Sequence, residues 1–333
     1  MMEEKVSVIV PSFNEKSNIK NCIESLLNNN YPLELLEILI VDGISDDGTT
    51  QIIEELCTEY SNVHLIINNE RITPVALNLG VMTAKGNFIM IGSAHSWFPP
   101  DYISKLMHFM LNNDADVVGG LLETRTNKTS TESLAITKVL SNKFGVGNSY
   151  FRVGSKNPVK VDTVPFGLYK RSVFQEVGYY NEKLVRNHDI EFSKRLLKKG
   201  FKIYLLPDPI CYYYARDNFL DLAKNSFHNG MWNLLTVYIT KSLNSLSVRH
   251  FVPLLFVLAL LLPLLIAIIA VPPLIFLPLS VLFLYFLSVF IISFFITNTP
   301  KLFFNVFWCY IVIHFSYGVG SLMGSFKIKY LLK

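Results

Sequence analysis

Three polar turns, each following a short apolar run, and one later cluster hold the side chains of this sequence best suited to chemistry. Pro11-Ser12-Phe13-Asn14-Glu15 follows VSVIV, Asp42-Gly43-Ile44-Ser45-Asp46-Asp47-Gly48 follows EILIV, and Ser93-Ala94-His95 follows FIMIG. The cluster is Asn187-His188-Asp189-Ile190-Glu191. A carboxylate just past a strand, such as Asp42, can accept a hydrogen bond from a uracil imide N–H or a ribose hydroxyl. Asp and Gly are also ordinary turn residues, so the same segment reads equally as a plain loop between strand and helix. Its pairing with PSFNE at the end of another strand favours the nucleotide reading. His95 is suited to bind Mn²⁺ or a later metal, to donate a hydrogen bond to a phosphate, or simply to pack at a strand end. Asp189 stands just before a helical segment, where Asp is a favoured N-cap; it is also a proton acceptor of the type general-base chemistry needs.

These residues need a scaffold, and the hydrophobic pattern supplies one. Val6–Val10, Glu37–Val41, Val63–Ile67 and Phe88–Ile91 are short, apolar and rich in β-branched residues, as buried strands are. Between and beyond them Asn18–Leu27, Thr49–Tyr60, Thr73–Ala84 and Tyr102–Asn112 carry helical spacing. Alternating strands and helices predict an α/β fold, a mostly parallel sheet with helices on both faces. Ligands of such sheets sit at the carboxyl ends of the strands, where the three polar turns fall. Further on, Asp162–Arg171 holds an apolar stretch and a turn, His188–Lys199 reads as a helix stopped by Gly200, and Phe201–Leu206 as a strand ending at Pro207. Asn218–Tyr238 carries an apolar stripe that fits a helix lying in a membrane interface or one packed on the preceding domain.

Composition then divides the chain near His250. Hydrophobic residues make up 51% of the 333 residues, and the mean hydropathy is +0.35. From Phe251 to Phe326 the only formally charged residue is Lys301, which suits a bilayer and no aqueous surface. Val252–Val271 and Leu274–Ile296, separated by Pro272-Pro273, are each long enough for a hydrocarbon core of ~30 Å. Phe303–Gly324 is a third candidate, more polar through Asn305, His314 and Ser316. Three spans place the tail of Lys327, Lys329 and Lys333 opposite the first domain, against the positive-inside tendency; two spans and an interfacial third keep it on the same side. Length favours three. The expected organisation is thus residues 1–216 as the α/β domain, 217–250 as the interfacial segment and 251–333 as the membrane domain, with helices near 252–271, 274–296 and 303–324.

The net charge of +4 comes from Lys301 and the three tail lysines, so residues 1–250 are neutral. A neutral first half gives no case for nucleic acid. Cys22, Cys57, Cys211 and Cys309 are scattered, which suggests neither a disulfide framework nor a zinc site and suits a reducing cytoplasm. The opening residues, acidic and with a short apolar run, do not read as a signal peptide.

VSVIVPSFNE and IVDGISDDGT together resemble the nucleotide-binding region of the inverting family-2 glycosyltransferases of GT-A fold. FGVGNSYFRVG (144–154), VDTVPFGLYKRSVFQEVGYYNE (161–182), DIEFSKRLLKKG (189–200) and HFSYGVGSLMG (314–324) are similar to the succinoglycan-type branch of bacterial exopolysaccharide glycosyltransferases. The likeness runs from about Val6 to Gly324. It implies a GT-A fold with C-terminal transmembrane helices and a nucleotide-diphosphate sugar donor, usually a UDP-sugar, with Pro11, Phe13, Glu15 and Asp42 around base and ribose. The family's Asp-x-Asp or Asp-x-His, which holds Mg²⁺ or Mn²⁺ against the donor diphosphate, reads Ser93-Ala94-His95 here. Losing that Asp removes a charge; Ser93 and His95 would then contact the diphosphate, with His95 a ligand for Mn²⁺ or Mg²⁺ or a metal-free hydrogen-bond donor.

In the same resemblance Asp189 is the general base, and His188 replaces a usual Glu beside it. A protonated His188 would weaken Asp189 as a base. The family's Gln-x-x-Arg-Trp signature of processive members survives in KNSFHNGMW only as Trp232, so Trp232 and His188 are candidates for the acceptor, Trp232 serving equally as a membrane-interface anchor. The missing Arg argues against a processive synthase. The resemblance implies a multi-pass cell-membrane protein with a cytoplasmic catalytic domain, acting on a lipid-linked or polysaccharide acceptor in surface polysaccharide assembly. Two rivals remain: a catalytically weak or inactive relative that binds a nucleotide sugar or a partner, and a transport or channel protein, for which the membrane segments are few. One expectation follows from composition alone: the full chain stays with membranes through an alkaline wash and needs detergent for extraction, and recovery in the cytosolic fraction would refute a membrane anchor.

Overall fold

The computed structural model describes residues 4–126 and 128–331, the side chains of 328–331 excepted. Lys333 and the side chain of Lys329 lie outside the described residues. The chain forms two compact units: residues 1–123 with 150–214, and residues 124–149 with 215–333.

The first unit is built on β1 (Val6–Ser12), α1 (Ile19–Leu27), β2 (Leu36–Asp42), α2 (Thr49–Glu59), β3 (Val63–Ile67), α3 (Thr73–Thr83), β4 (Phe88–Ile91), β5 (Ser96–Trp97) and α4 (Tyr102–Asn112). β6 (Val117–Arg125) carries the chain out into α5 (Thr131–Leu140) and α6 (Lys143–Val146). The chain returns through α7 (Tyr150–Val153), β7 (Val159–Lys160), β8 (Leu168–Lys170), α8 (Arg171–Val177), α9 (His188–Lys198) and β9 (Ile203–Tyr214). The sheet order is β3-β2-β1-β4-β8-β6-β9-β5, with β7 also on β9. β1 to β4 pair in parallel; β8 pairs antiparallel with β4 and β6, and β9 antiparallel with β5 and β7.

Side-chain alternation explains the two covered faces. Val6, Val8 and Val10 pack with α1, α2 and α4 on one face. Ile9, Leu39, Val41 and Ile89 pack with α3, α8 and α9 on the other. α3 lies so close to β1 that a Cβ at Gly80 would sit 2.4 Å from Ile9 Cγ2. Glu37, buried at the far end of the sheet, accepts from Ser7 Oγ at 2.5 Å and from the Lys85 N–H at 2.9 Å. β9 does not stop at Pro207: it continues through Pro207 and Pro209 to Tyr214. Strand prolines are tolerated where no ladder hydrogen bond is required of them.

The second unit is helical: α5, α6, α10 (Phe219–Thr240), α11 (Val252–Ile269), α12 (Phe276–Ile296) and α13 (Pro300–Leu331). Residues 124–149 group with these helices; Ala135, Ile136 and Val139 of α5 share a core with Val306, Cys309 and Tyr310 of α13. Within segment 217–250, α10 packs along α13. Small residues allow the approach, as they do between membrane helices. A Cβ at Gly230 would lie 1.9 Å from Tyr317 O, one at Gly320 2.0 Å from Phe227 O, and one at Gly324 2.5 Å from Met231 O.

Asn233 and His314 inside this unit are hydrogen-bonded, whereas the buried Ser293 Oγ and Tyr310 hydroxyl have no partner among the described residues. Asn233 Nδ2 donates to His250 O at 2.8 Å and to the Tyr317 hydroxyl at 3.0 Å. His314 lies between the Tyr285 hydroxyl (3.0 Å) and Phe144 O (2.9 Å). Among the described residues three helices are long and apolar enough to cross a membrane: Val248–Ile269, Pro272–Ile296 and Pro300–Lys327. At 1.5 Å per residue the 32 residues of α13 reach about 48 Å, beyond a ~30 Å hydrocarbon core. Gly320→Val should therefore drive a branched side chain into the α10 backbone and destabilise detergent-solubilised protein by about 1–3 kcal/mol. The readout is a lowered Tm; an unchanged Tm would mean the two helices do not approach this closely.

Candidate active site

The ends of β1 and β2 lie side by side, Ser12 paired with Asp42, and the loops beyond them are laced together. Asp42 is fully buried. Its Oδ2 accepts from the Ser45 N–H at 2.9 Å and the Thr50 hydroxyl at 3.0 Å, its Oδ1 from the Ser45 hydroxyl at 2.7 Å. Asp47 does the same one turn later, accepting from the Thr49 N–H (3.0 Å) and hydroxyl (2.5 Å) and from the Lys16 N–H (3.1 Å). The Thr49 hydroxyl holds the Asp47 carboxyl below the usual range. Asn14, at φ 55°, donates through Nδ2 to Asp46 (3.0 Å) and accepts through Oδ1 from the Asp46 N–H (3.1 Å). The Glu15 N–H donates to Thr49 Oγ1 at 2.8 Å.

Asp42 thus holds the loop from within, with both oxygens occupied by it. The surface over this lattice is offered by Phe13, which is 45% exposed. Its ring lies over Gly43, where a Cβ would be 3.1 Å from Phe13 Cδ2, and the Arg71 guanidinium stands 5.8 Å from the ring centroid. Pro11, half-buried, is still within β1 and pairs with Val41. Sequence reasoning missed Asn14, Thr49 and Arg71. The first two sit inside the quoted motifs, but only register shows that they lock the two loops. Arg71 lies in a loop with no pattern of its own.

Past β4, His95 Nδ1 is 2.9 Å from Glu15 Oε1, so the first and third polar turns meet. Tyr213 meets the His95 ring edge-on at 5.3 Å between centroids, and the Tyr214 N–H donates to His95 O at 3.3 Å. Ser93 O accepts from the Ser96 N–H (3.0 Å) and from Cys22 Sγ (3.2 Å). The described residues contain no group of three or more His, Cys, Asp or Glu able to hold a metal ion. Glu15 and His95 offer one carboxylate and one imidazole, and with Nδ1 engaged by Glu15 the imidazole would bind through Nε2. Such a pair fits a divalent cation only if donor phosphates and water complete the coordination.

The expectation that Asp189 caps its helix is corrected. Asn187, at φ 62° and ψ 11°, is the N-cap, and Asp189 is in the first turn of α9, where the helix dipole favours a negative charge. Asp189 is exposed. It lies near Tyr169 of β8, whose hydroxyl is pushed up by burial and then by the Asp189 carboxylate. β8 pairs with β4, the strand that leads to His95. Phe192 stacks on Phe174 (5.1 Å) and Ser193 Oγ donates to Thr163 Oγ1 (3.1 Å). Arg195 bonds Glu191, Val177 O and Tyr179 O, so α9 is fixed along its length. His188 packs edge-on to Tyr180 at 5.9 Å, and its buried Nδ1 has no hydrogen-bond partner. Burial holds this imidazole below the usual histidine range, so near neutral pH it sets no positive charge beside Asp189. Trp232 is half-buried on α10, in the second unit.

The model of the family described as glycosyl transferase family 2 matches residues 7–178. The chain is 30% identical over 234 residues, 68% of its length and 71% of the relative's, to the dolichyl N-acetyl-alpha-D-glucosaminyl phosphate 3-beta-D-2,3-diacetamido-2,3-dideoxy-beta-D-glucuronosyltransferase of Methanococcus voltae. It is 30% identical over 225 residues, 67% of each chain, to the succinoglycan biosynthesis protein ExoA of Rhizobium meliloti. Among solved structures, the mannosyltransferase PcManGT of Pyrobaculum calidifontis, in complex with GDP-Man and Mn²⁺, superposes with a TM-score of 0.57 at 14% identity, covering 97% of this chain and 86% of that one. This is a likeness of fold.

Removing the buried carboxylate tests the loop lattice. Asp42→Ala leaves the Ser45 N–H and two hydroxyls without their acceptor, at a cost of about 1–3 kcal/mol. Amide hydrogen exchange across residues 43–50 should quicken by about tenfold or more while β2 stays protected. Unchanged protection would show that Asp42 does not organise the loop.

Proposed function

Since the chain belongs to glycosyl transferase family 2, we propose that it transfers a sugar from a UDP-sugar to a lipid-linked sugar acceptor, with inversion, in surface polysaccharide or glycoconjugate assembly. That it is a glycosyltransferase of GT-A fold follows from the family and the architecture. The observation that carries the finer reading is the meeting of Glu15 and His95 at the strand ends, beside the Phe13–Gly43–Arg71 surface.

Base and ribose bind along Phe13, Gly43 and Arg71, with Pro11 and Asp42 shaping the strand ends beneath. The diphosphate lies toward Ser93 and His95, within reach of the main-chain turn. A divalent cation, when bound, neutralises the leaving diphosphate, and His95 with Glu15 would hold it. Asp189 takes the acceptor hydroxyl's proton as that oxygen bonds to the anomeric carbon and the carbon–oxygen bond to the diphosphate breaks. Because the acceptor oxygen grows acidic as the bond forms, the position of Asp189 counts for more than its basicity.

The names of related proteins lend support. The Methanococcus voltae relative is named for a dolichyl-phosphate-linked acceptor, and the mannosyltransferase structure holds a nucleotide-diphosphate sugar with Mn²⁺. Apolar helices in the same chain keep the enzyme in the bilayer with such an acceptor, and the proposed orientation has the catalytic unit in the cytoplasm. Trp232 and His188 remain acceptor-side candidates, His188 as a neutral imidazole. Asp189→Asn keeps the shape of the first turn but removes the proton acceptor. It should cut transfer to lipid acceptor in membranes by at least ~10²-fold, the lower end for general-base loss, with UDP affinity and Tm little changed. Transfer at the wild-type rate would remove Asp189 from the role of base.

A further inference from the structure

The residues gathered at the strand ends carry more negative than positive charge. Glu15, Asp42, Asp46 and Asp47 lie there, and a donor diphosphate would add to them. Lys16 and Arg71 stand on the side of β1 to β3, Lys16 folded over Gly48 and Arg71 beside Phe13. On the other side, toward His95, stands Arg152 of α7. Its guanidinium lies 5.4 Å from the Tyr213 ring centroid and 5.7 Å from that of Phe151. Tyr213 in turn touches His95 and is paired with Ser96 in the ladder between β5 and β9. One aromatic ring therefore separates the guanidinium from the imidazole assigned to the diphosphate.

We propose that Arg152 is an anion-binding residue of this site, receiving the donor's diphosphate on the His95 side. The inference rests on the nucleotide-diphosphate donor reading given above. A guanidinium presents a planar fork that matches phosphate oxygens and stays charged at any working pH. Burial pulls Arg152 below the usual arginine range, a sign that water around it is depleted, and there a charge acts on an anion more strongly than in bulk solvent. The two aromatic faces hold the cation in place by cation–π attraction, so little side-chain freedom is lost when the phosphate arrives. With Ser93 contributing no carboxylate, the site has one acid fewer for a metal ion, and the Arg152 guanidinium adds positive charge on the side of the phosphate.

The test compares UDP with uridine, which lacks the phosphates, by calorimetry on the full-length protein in detergent. Arg152→Met should weaken UDP binding by about tenfold or more, the loss expected for a charge-assisted hydrogen bond, and leave uridine affinity unchanged. Arg152→Lys, which keeps the charge but not the fork, should fall between wild type and Arg152→Met. Unchanged UDP affinity in Arg152→Met overturns the assignment and leaves the donor site intact. Equal losses for UDP and uridine overturn it too, making Arg152 only a clamp for Tyr213 and Phe151. Wild-type protein that binds neither ligand overturns the UDP-donor reading and this assignment with it.

Discussion

A carboxylate buried without water must have its oxygens filled by donors, and in this fold that requirement falls on Asp42. The Ser45 N–H and the Ser45 and Thr50 hydroxyls meet it, which curls residues 43–50 back over the end of β2. The curled loop then presents Ser45 and Asp46 to Asn14 and Asp47 to Lys16, so two crossover connections become one surface. Phe13 is left outside this lattice and exposed, between Ser12 and Asn14, whose backbones are bonded to Gly43 and Ser45. Glu15, its N–H fixed by Thr49, is aimed at His95. The order of dependence runs from one buried charge to a loop, from the loop to a neighbouring loop, and from there to the third strand end.

The opposite half of the site is positioned by packing. α9 is pinned by the stack of Phe192 on Phe174 and by the bonds from Arg195 to Val177 O and Tyr179 O. That places Asp189 at the N-terminal turn of a helix whose core face cannot shift without breaking the second core. His188, next to it, is drawn inward against Tyr180, and burial holds its imidazole below the usual histidine range. Two adjacent ionisable residues thereby acquire different surroundings, an exposed carboxylate and a half-buried ring, because successive helix positions point about 100° apart.

The helical unit holds helices long and apolar enough to cross a membrane. Asn233 and His314 there bond other side chains or a carbonyl. Helices gain contact by close approach at Gly230, Gly320 and Gly324. α11 and α12 instead expose side chains such as Leu262, Ile268, Phe283 and Phe295, the faces that hydrocarbon would cover.

Much was legible from local pattern. Phe88–Ile91 is a strand with the bounds the sequence suggested, because a parallel strand covered on both faces reads as a continuous apolar run; Val63–Ile67 has its expected bounds too, though as an edge strand with His64 and Ile67 exposed. The two long apolar runs after His250 were readable for the same reason, since a bilayer-crossing helix needs apolar length. Turn chemistry likewise marked PSFNE, DGISDDG, Ser93–His95 and Asp189 as polar ends of apolar elements. The partners of these residues were not readable. That Asp42 turns inward, that Glu15 meets His95, that residues 124–149 join the membrane-type helices and that α10 lies on α13 all depend on strand register and helix packing between residues far apart in sequence. Local propensity carries no term for such pairings; they arise only when the chain closes on itself and segments far apart in sequence pack together.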